Sequence, residues 1–373
     1  MKNTTIYIGN QLSTFDKVAE VNGELITFEN ESFYKISNYD AMRPFFMSIV
    51  SNANHWMFIS SNGGLSAGRK NAQSALFPYY TDDKLTETAE TTGSKTLIKV
   101  LSNNRTTLWE PFSSRYAGVY KIQRNLYKNA YGNKVVFEEI NEDLGLTFRY
   151  SWNSSDKFGF VRKSTLVNNG KQQVEISVLD GIQNIMPYGI NSDLQNVYSN
   201  LVDAYKKNEL ETEINLGIFA LSAIIVDRAE PSEALKATTV WSIGVENAKY
   251  LLSSLQLDAF RKGEEISQEV DIKAEKGAYF ICTDFSLAPA AHKSWTLVAD
   301  VNQSRVDMSA ISEVIKSAEN ILLEVEKDIE SKISQSMQKN QRKFIVQEQI
   351  RILQEELNEE DESDPEFMKL KDS

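Results

Sequence analysis

With 373 residues, 41% of them hydrophobic and 25% charged, the chain has room for one large core or two smaller ones, and its composition argues against disorder. A formal charge of −12 repels phosphate backbones and no basic patch stands out to override it, so nucleic-acid binding is excluded. The lone Cys282 rules out an intramolecular disulfide framework and fits a reducing, cytoplasmic setting, although a large, well-cored secreted protein would be compatible with it too. The first ten residues contain no apolar leader stretch. The longest apolar run, Ile214 to Val226, is too short to span a bilayer and contains Gly217, so no membrane segment is expected.

Up to about Pro187, apolar and polar residues alternate in short runs punctuated by Asn, Gly, Asp and Ser, which predicts antiparallel β structure. In Leu146–Trp152, Leu146, Phe148, Tyr150 and Trp152 fall on one face, and Thr147, Arg149 and Ser151 on the other. Lys134–Ile140 precedes it across an Asn141-Glu142-Asp143 turn, which predicts a hairpin. A second hairpin is expected from Gly159–Val167 to Gln173–Val178 across Asn168-Asn169-Gly170. From Ser192 to Glu213 the apolar residues take helical spacing behind Ser192 as N-cap, so a helix is expected to cross between sheets. Strands resume at Ile218–Val226, Thr238–Ile243, Tyr279–Phe285 and Trp295–Val301, with a helix over Ala248–Phe260.

After Asp307 no Gly or Pro occurs until Pro365, and Met308, Ile311, Ile315, Ala318, Leu322, Val325 and Ile329 step by threes and fours. This predicts a long amphipathic helix or coiled coil. The expected organisation is a mainly β sandwich over 1–307, a helix over 308–358, and a frayed acidic tail over 359–373.

The loop Ser61–Asn71 places Gly63 and Gly68 at phosphate-loop spacing. Arg69, Lys70 and Asn71 stand where a phosphate cradle needs Lys and then Ser or Thr, so a nucleotide site is not expected. A surface loop is the better reading, with Arg69 and Lys70 free to meet an anion or a sugar hydroxyl. Tyr79, Tyr80 and Asp82, then Trp109 and Glu110, set aromatic faces beside carboxylates, as sugar sites do, because a pyranose has an apolar face and a hydroxyl rim. For most of these rings core packing is the competing reading, and Trp56, Trp152, Trp241 and Trp295 are expected in the core. The candidate carbohydrate-binding residues are therefore Arg69, Lys70, Tyr79, Tyr80, Asp82, Trp109 and Glu110.

The pairs Asp82-Asp83, Glu138-Glu139 and Glu264-Glu265 cannot flank one glycosidic bond, because neighbours on a strand point to opposite faces; solvated surface is expected for them. His55, His292 and Cys282 have no metal-ligand spacing, and no nucleophile elbow occurs. No catalytic residue, metal or cofactor is assigned.

Together, Asn62–Lys70, Ala75–Lys84, Trp109-Glu110-Pro111 and Phe158–Asn168, with Phe285–Pro289 and Ser294–Val298 later, resemble the N-terminal domain of cellobiose-phosphorylase-type enzymes over about 1–324. The resemblance implies a β-supersandwich of the galactose-mutarotase-like kind, a linker, and an (α/α)₆ barrel carrying the catalytic acid. This sequence contains no such barrel. The implied function is a non-catalytic carbohydrate-binding or scaffolding domain, shaping one wall of a sugar site. Its implied partners are an oligosaccharide or a sugar-site partner domain, with a homodimer as a further expectation.

A second resemblance lies at the other end. Met337, Lys339, Gln341-Arg342, Phe344, Glu348-Gln349, Gln354 and Glu356-Leu357 resemble the helix before the ATPase of Lon proteases, from about 326. The ATPase and peptidase of that family are not in this sequence. The alternative function is thus an interaction or oligomerisation fragment of a Lon-type protease, or a chimera joined near Glu324–Glu330.

Overall fold

The computed structural model describes residues 7–12, 20–28, 31–51, 53–102, 104–225, 233–316 and 321–329. The described residues through Val325 belong to one compact unit, built on large antiparallel sheets. An eleven-stranded sheet has at its centre the neighbours Lys236–Ile243, His292–Ser304, Gly159–Asn168, Leu146–Ser155, Val135–Asn141 and Ile122–Asn129. A five-stranded sheet holds, in order, Arg105–Trp109, Gly93–Ser102, Val174–Ile185, Gly277–Leu287 and Lys249–Leu251. A four-stranded sheet runs from Phe46 to Phe77.

Period-2 patterning explains how the layers meet. Phe137, Phe148, Tyr150, Leu166 and Trp295 project from the eleven-stranded sheet into the same core as Ile98, Val100, Ile176, Val178 and Ile182 of the five-stranded one. Burial of this apolar area, at about 25 cal/mol per Å², is the main term holding the sandwich together. The other face of the five-stranded sheet is not bare. Leu97, Leu179 and Phe280 there are covered by Leu257 and Phe260 of the helix Leu257–Lys262.

The Lys134–Trp152 hairpin forms as expected, Val135–Asn141 pairing with Leu146–Ser155 in register Phe137 to Tyr150. The expected hairpin across Asn168-Asn169-Gly170 does not form. Gly159–Asn168 already has partners on both edges, Leu146–Ser155 and His292–Ser304. Val174–Ile185 instead pairs with Gly93–Ser102 and Gly277–Leu287 in the opposite layer. The turn signal fixed a chain reversal, and two-sided burial of the second strand decided which sheet received it. Asn168 pins the crossing by donating to the carbonyls of Gln172 at 2.8 Å and Leu287 at 3.0 Å.

The single helix expected over Ser192–Glu213 is also corrected. Two short helices, Ser192–Asn196 and Ser199–Tyr205, are followed by the strand Lys206–Glu211. Asn191, not Ser192, is the N-cap, its side chain accepting from Leu194 N–H at 2.9 Å. The connection does cross between sheets, as expected, from the five-stranded to the eleven-stranded one. The helix expected over Ala248–Phe260 begins as a strand, Lys249–Leu251, and becomes helical at Leu257.

Ser304 and Asp307 cap the helix Arg305–Lys316 reciprocally: the Ser304 N–H and hydroxyl donate to Asp307 Oδ2 at 2.9 and 2.6 Å, and Asp307 N–H donates to Ser304 Oγ at 3.3 Å. Residues 321–329 are helical as well, with Ile321 and Val325 buried. Of the Lon-like segment expected from about 326, all but residues 326–329 lies outside the described residues, as does the acidic tail.

Candidate functional site

The strand Arg105–Trp109 forms one edge of the five-stranded sheet, and the chain then turns through Glu110, Pro111 and Phe112. Phe112 adopts the left-handed conformation, φ 63°, which strains a bulky side chain. Two sets of contacts hold it there. Its N–H donates to Glu139 Oε2 at 2.7 Å, and its ring packs edge-on to Tyr150 with centroids 5.1 Å apart. Glu139 also accepts from Trp109 Nε1 at 2.7 Å and from Arg124 Nε at 2.7 Å. Trp109 is 1% exposed, so it is a core ring bonded to a buried carboxylate and has no face left for a sugar.

Glu110 faces a different set of partners. It accepts from Arg261 Nη2 at 2.8 Å and Nε at 3.0 Å, and pairs with Lys95. Glu90 completes the cluster by pairing with Lys95 and accepting from Ser113 Oγ at 2.9 Å and Ser114 N–H at 2.8 Å. Burial pushes both carboxyls up, but the Arg261 and Lys95 cations prevail at Glu110 and leave it below the usual range. At Glu90 burial is likewise outweighed, by Lys95 and the two serines, and the carboxyl falls to about 2. These carboxylates are ionised at neutral pH and their oxygens are occupied. A general acid needs a proton to give, and neither has one.

The other predicted residues do not join Trp109 and Glu110. Arg69 pairs with Asp300 at 2.8 Å and donates to the Asp156 carbonyl at 3.0 Å. Lys70 is exposed, at φ 56°. Tyr79 is 44% exposed and lies edge-on to Trp56, with centroids 5.3 Å apart. The Tyr80 hydroxyl sits 3.4 Å from Asn184 Nδ2, and burial raises its pKa. Asp82 opens the short helix Asp82–Glu87. Arg69, Tyr79, Tyr80, Trp109 and Glu110 therefore engage different partners, and none of these contacts joins the first three to the last two.

Two further expectations are corrected. The Ser61–Asn71 segment is not a surface loop: Leu65–Arg69 is a largely buried strand reached by a tight turn. A Cβ on Gly64 would lie 1.8 Å from the Leu85 carbonyl oxygen, so this glycine serves the packing of the helix Asp82–Glu87 against the hairpin. The pair Glu138-Glu139 is not solvated surface either, at 3% and 1% exposed. As expected, the two point to opposite faces, and Glu138 accepts from Asn125 Nδ2 and the Tyr127 hydroxyl, both at 2.7 Å. One signal in the sequence pointed that way: two acids inside Val135-Val136-Phe137-Glu138-Glu139-Ile140 interrupt an apolar run, and buried acids require partners.

A concavity of about 580 Å³ lies on the outer face of the five-stranded sheet, beside the helix Leu257–Lys262. Strand register builds its floor. Leu108 lies opposite Lys99, Lys99 opposite Ser177, and Ser177 opposite Asp284, so four strands contribute one side chain each to a single row. The adjoining row sets Leu101, which is 44% exposed, opposite Glu175. Lys99 Nζ stands 4.2 Å from the centroid of Phe260, which fixes the ammonium over the groove. Nothing in the sequence marks these positions, because they lie on separate strands and become neighbours only through register.

Among the described residues, no group of three or more His, Cys, Asp or Glu is placed to hold a metal ion, and no helix is long and apolar enough to cross a membrane. No protein-family model matches the sequence, and no curated protein does. Among solved structures, the chain is similar to the GalM/aldose epimerase homologue from C. elegans, at 9% identity and TM-score 0.39, covering 70% of this chain and 100% of that one. It is similar to a putative aldose 1-epimerase from Escherichia coli K12, at 10% identity and TM-score 0.36, covering 70% and 99% respectively. A putative kojibiose phosphorylase from human microbiome is similar at 9% identity and TM-score 0.32, covering 63% of this chain and 27% of that one. The chain spans 33%, 27% and 38% of the polysaccharide lyase, kojibiose phosphorylase and bacterial glucoamylase chains it matches.

Proposed function

We propose that this chain is a carbohydrate-binding sandwich domain without turnover of its own. The observation that carries the reading is the commitment of the acids at the aromatic cluster. Glu110 is held between Arg261 and Lys95, Glu90 by Lys95 and two serines, and Glu139 by Trp109, Phe112 and Arg124. Glycoside cleavage needs one protonated and one ionised carboxyl flanking the bond, roughly 5–9.5 Å apart. A saturated cluster in which Glu90 and Glu110 are held ionised lacks the first of these. What supports binding is the open groove of about 580 Å³, within the range of small-ligand sites and combining apolar with polar walls.

The purified protein is expected to bind neutral oligosaccharides at micromolar to millimolar concentration in calorimetry. It is also expected to release neither reducing sugar nor sugar 1-phosphate from disaccharides, with or without phosphate. Turnover that survives repurification and is abolished by Glu110→Gln in a folded variant overturns the non-catalytic reading.

A further inference from the structure

Most charged groups inside the sandwich are used up by partners within the fold, and the groove beside Phe260 is an exception. Among the described residues, the Lys99 ammonium lies against the Phe260 ring and makes no hydrogen bond or ion pair, and neither do the side chains of Ser177, Asp284 and Thr106; Lys99 and Asp284 act on the Cys282 thiol through charge alone. Ser177 separates Lys99 from Asp284, and neighbouring strands lie about 4.8 Å apart, so the backbones carrying the ammonium and the carboxylate stand roughly 10 Å apart with a hydroxyl between them. No ion pair joins them: the Lys99 ammonium sits over the Phe260 ring and Asp284 is exposed.

The groove is also balanced in charge. Lys99 and Lys262 oppose Glu175 and Asp284, while Arg261 is already neutralised by Glu110 and Asp258. A ligand that completes such a row must accept from an ammonium at one end and donate to a carboxylate at the other without bringing net charge. Vicinal hydroxyls do both. The apolar side is supplied by Leu101 and Leu108, on the two strands at the sheet edge, against which the C–H face of a pyranose can lie. A polyanionic sugar would meet Asp284 and Glu175 at close range inside a molecule of net charge −12.

From this juxtaposition we infer that the Lys99–Ser177–Asp284 row is the reading edge of a site for a neutral oligosaccharide. Leu101 and Leu108 form its apolar platform and the helix Leu257–Lys262 its wall. The inference rests on the carbohydrate-binding reading above and names the site where binding happens.

The test is calorimetry on the full chain with a panel of neutral gluco-, manno-, galacto- and xylo-tetrasaccharides, and with tetragalacturonate as the charged probe. Asp284→Asn and Lys99→Met are each expected to lower affinity for the bound neutral sugar about tenfold or more, as loss of a charge-assisted hydrogen bond does. Thermal unfolding checks that both remain folded. Because Lys99→Met also alters the Phe260 contact, Ser177→Trp supplies an independent arm: its ring fills the floor of the row and is expected to abolish binding. Neutral-sugar binding unchanged in all three folded variants overturns the groove assignment and leaves the carbohydrate-binding reading standing. Tighter binding of tetragalacturonate overturns the charge argument. No binding of any panel member at millimolar concentration overturns the site and the underlying reading together.

Discussion

Arg162 and Asp180 face each other across the sandwich as a two-pronged pair, Nη1 to Oδ2 at 2.7 Å and Nη2 to Oδ1 at 2.9 Å, with neither side chain exposed. The carboxylate also accepts from Thr96 Oγ1 at 2.5 Å, Ser164 Oγ at 3.0 Å and Trp295 Nε1 at 2.6 Å. The pair joins the two large sheets, Arg162 lying on one and Asp180 and Thr96 on the other.

Removing one member strands a buried charge, whereas removing both removes the desolvation penalty along with the attraction. Arg162→Met and Asp180→Leu are each expected to destabilise by about 3–5 kcal/mol. The double variant is expected to lose clearly less than the sum of the two. Urea unfolding of all four proteins checks this, and additive losses would mean that the two groups do not act as a pair.

Stability between pH 4 and 6.5 carries two opposed contributions that meet at Arg69. Burial, opposed by Arg69, lifts Asp300 to about 6, so its contribution is largest below the unfolded value of 3.8 and is lost as pH rises through about 6. Burial, aided by Arg69, lowers His55 to about 3, so its contribution is complete above the unfolded value of 6.5 and is lost as pH falls toward 3. In the parent the two partly cancel. Asp300→Asn removes the first alone, and the variant's urea midpoint is expected to climb more steeply with pH across this interval. Parallel profiles for parent and variant would remove Asp300 as a titrating group.

Trp109→Phe keeps the ring but deletes the donor to Glu139, with an expected destabilisation of about 1–3 kcal/mol. Glu110→Gln is expected to cost about 2 kcal/mol. This is less than the usual loss on breaking a buried pair, because Lys95 keeps Glu90 and Arg261 keeps Asp258. Affinity for oligosaccharide is expected to stay the same in both. A folded Trp109→Phe protein of parental stability that binds sugar tenfold more weakly would restore this tryptophan to a sugar site.

Local pattern was legible where one physical rule dominates. Alternation in Leu146–Trp152 fixed both the strand and its buried face, and Leu146, Phe148, Tyr150 and Trp152 are all in the core. The Ser304-x-x-Asp307 spacing was equally readable as a helix start, yet the apolar periodicity from Met308 drew the expected boundary three residues late.

The sequence by itself determined a mainly β chain, because period-2 alternation and turn residues act over a few positions and need no knowledge of distant partners. Tertiary structure decided the rest. Asn168-Asn169-Gly170 dictates a reversal in either layer, and the occupied edges of Gly159–Asn168, with the two-sided burial of Val174–Ile185, sent the second strand across to the other sheet. The same holds for the candidate site. Trp109 and Glu110 read as sugar contacts until Glu139, Lys95 and Arg261 arrived from other strands and a helix to consume them. Lys99, Ser177 and Asp284 carry no mark in the sequence, and only strand register sets a cation, a hydroxyl and a carboxylate in one row.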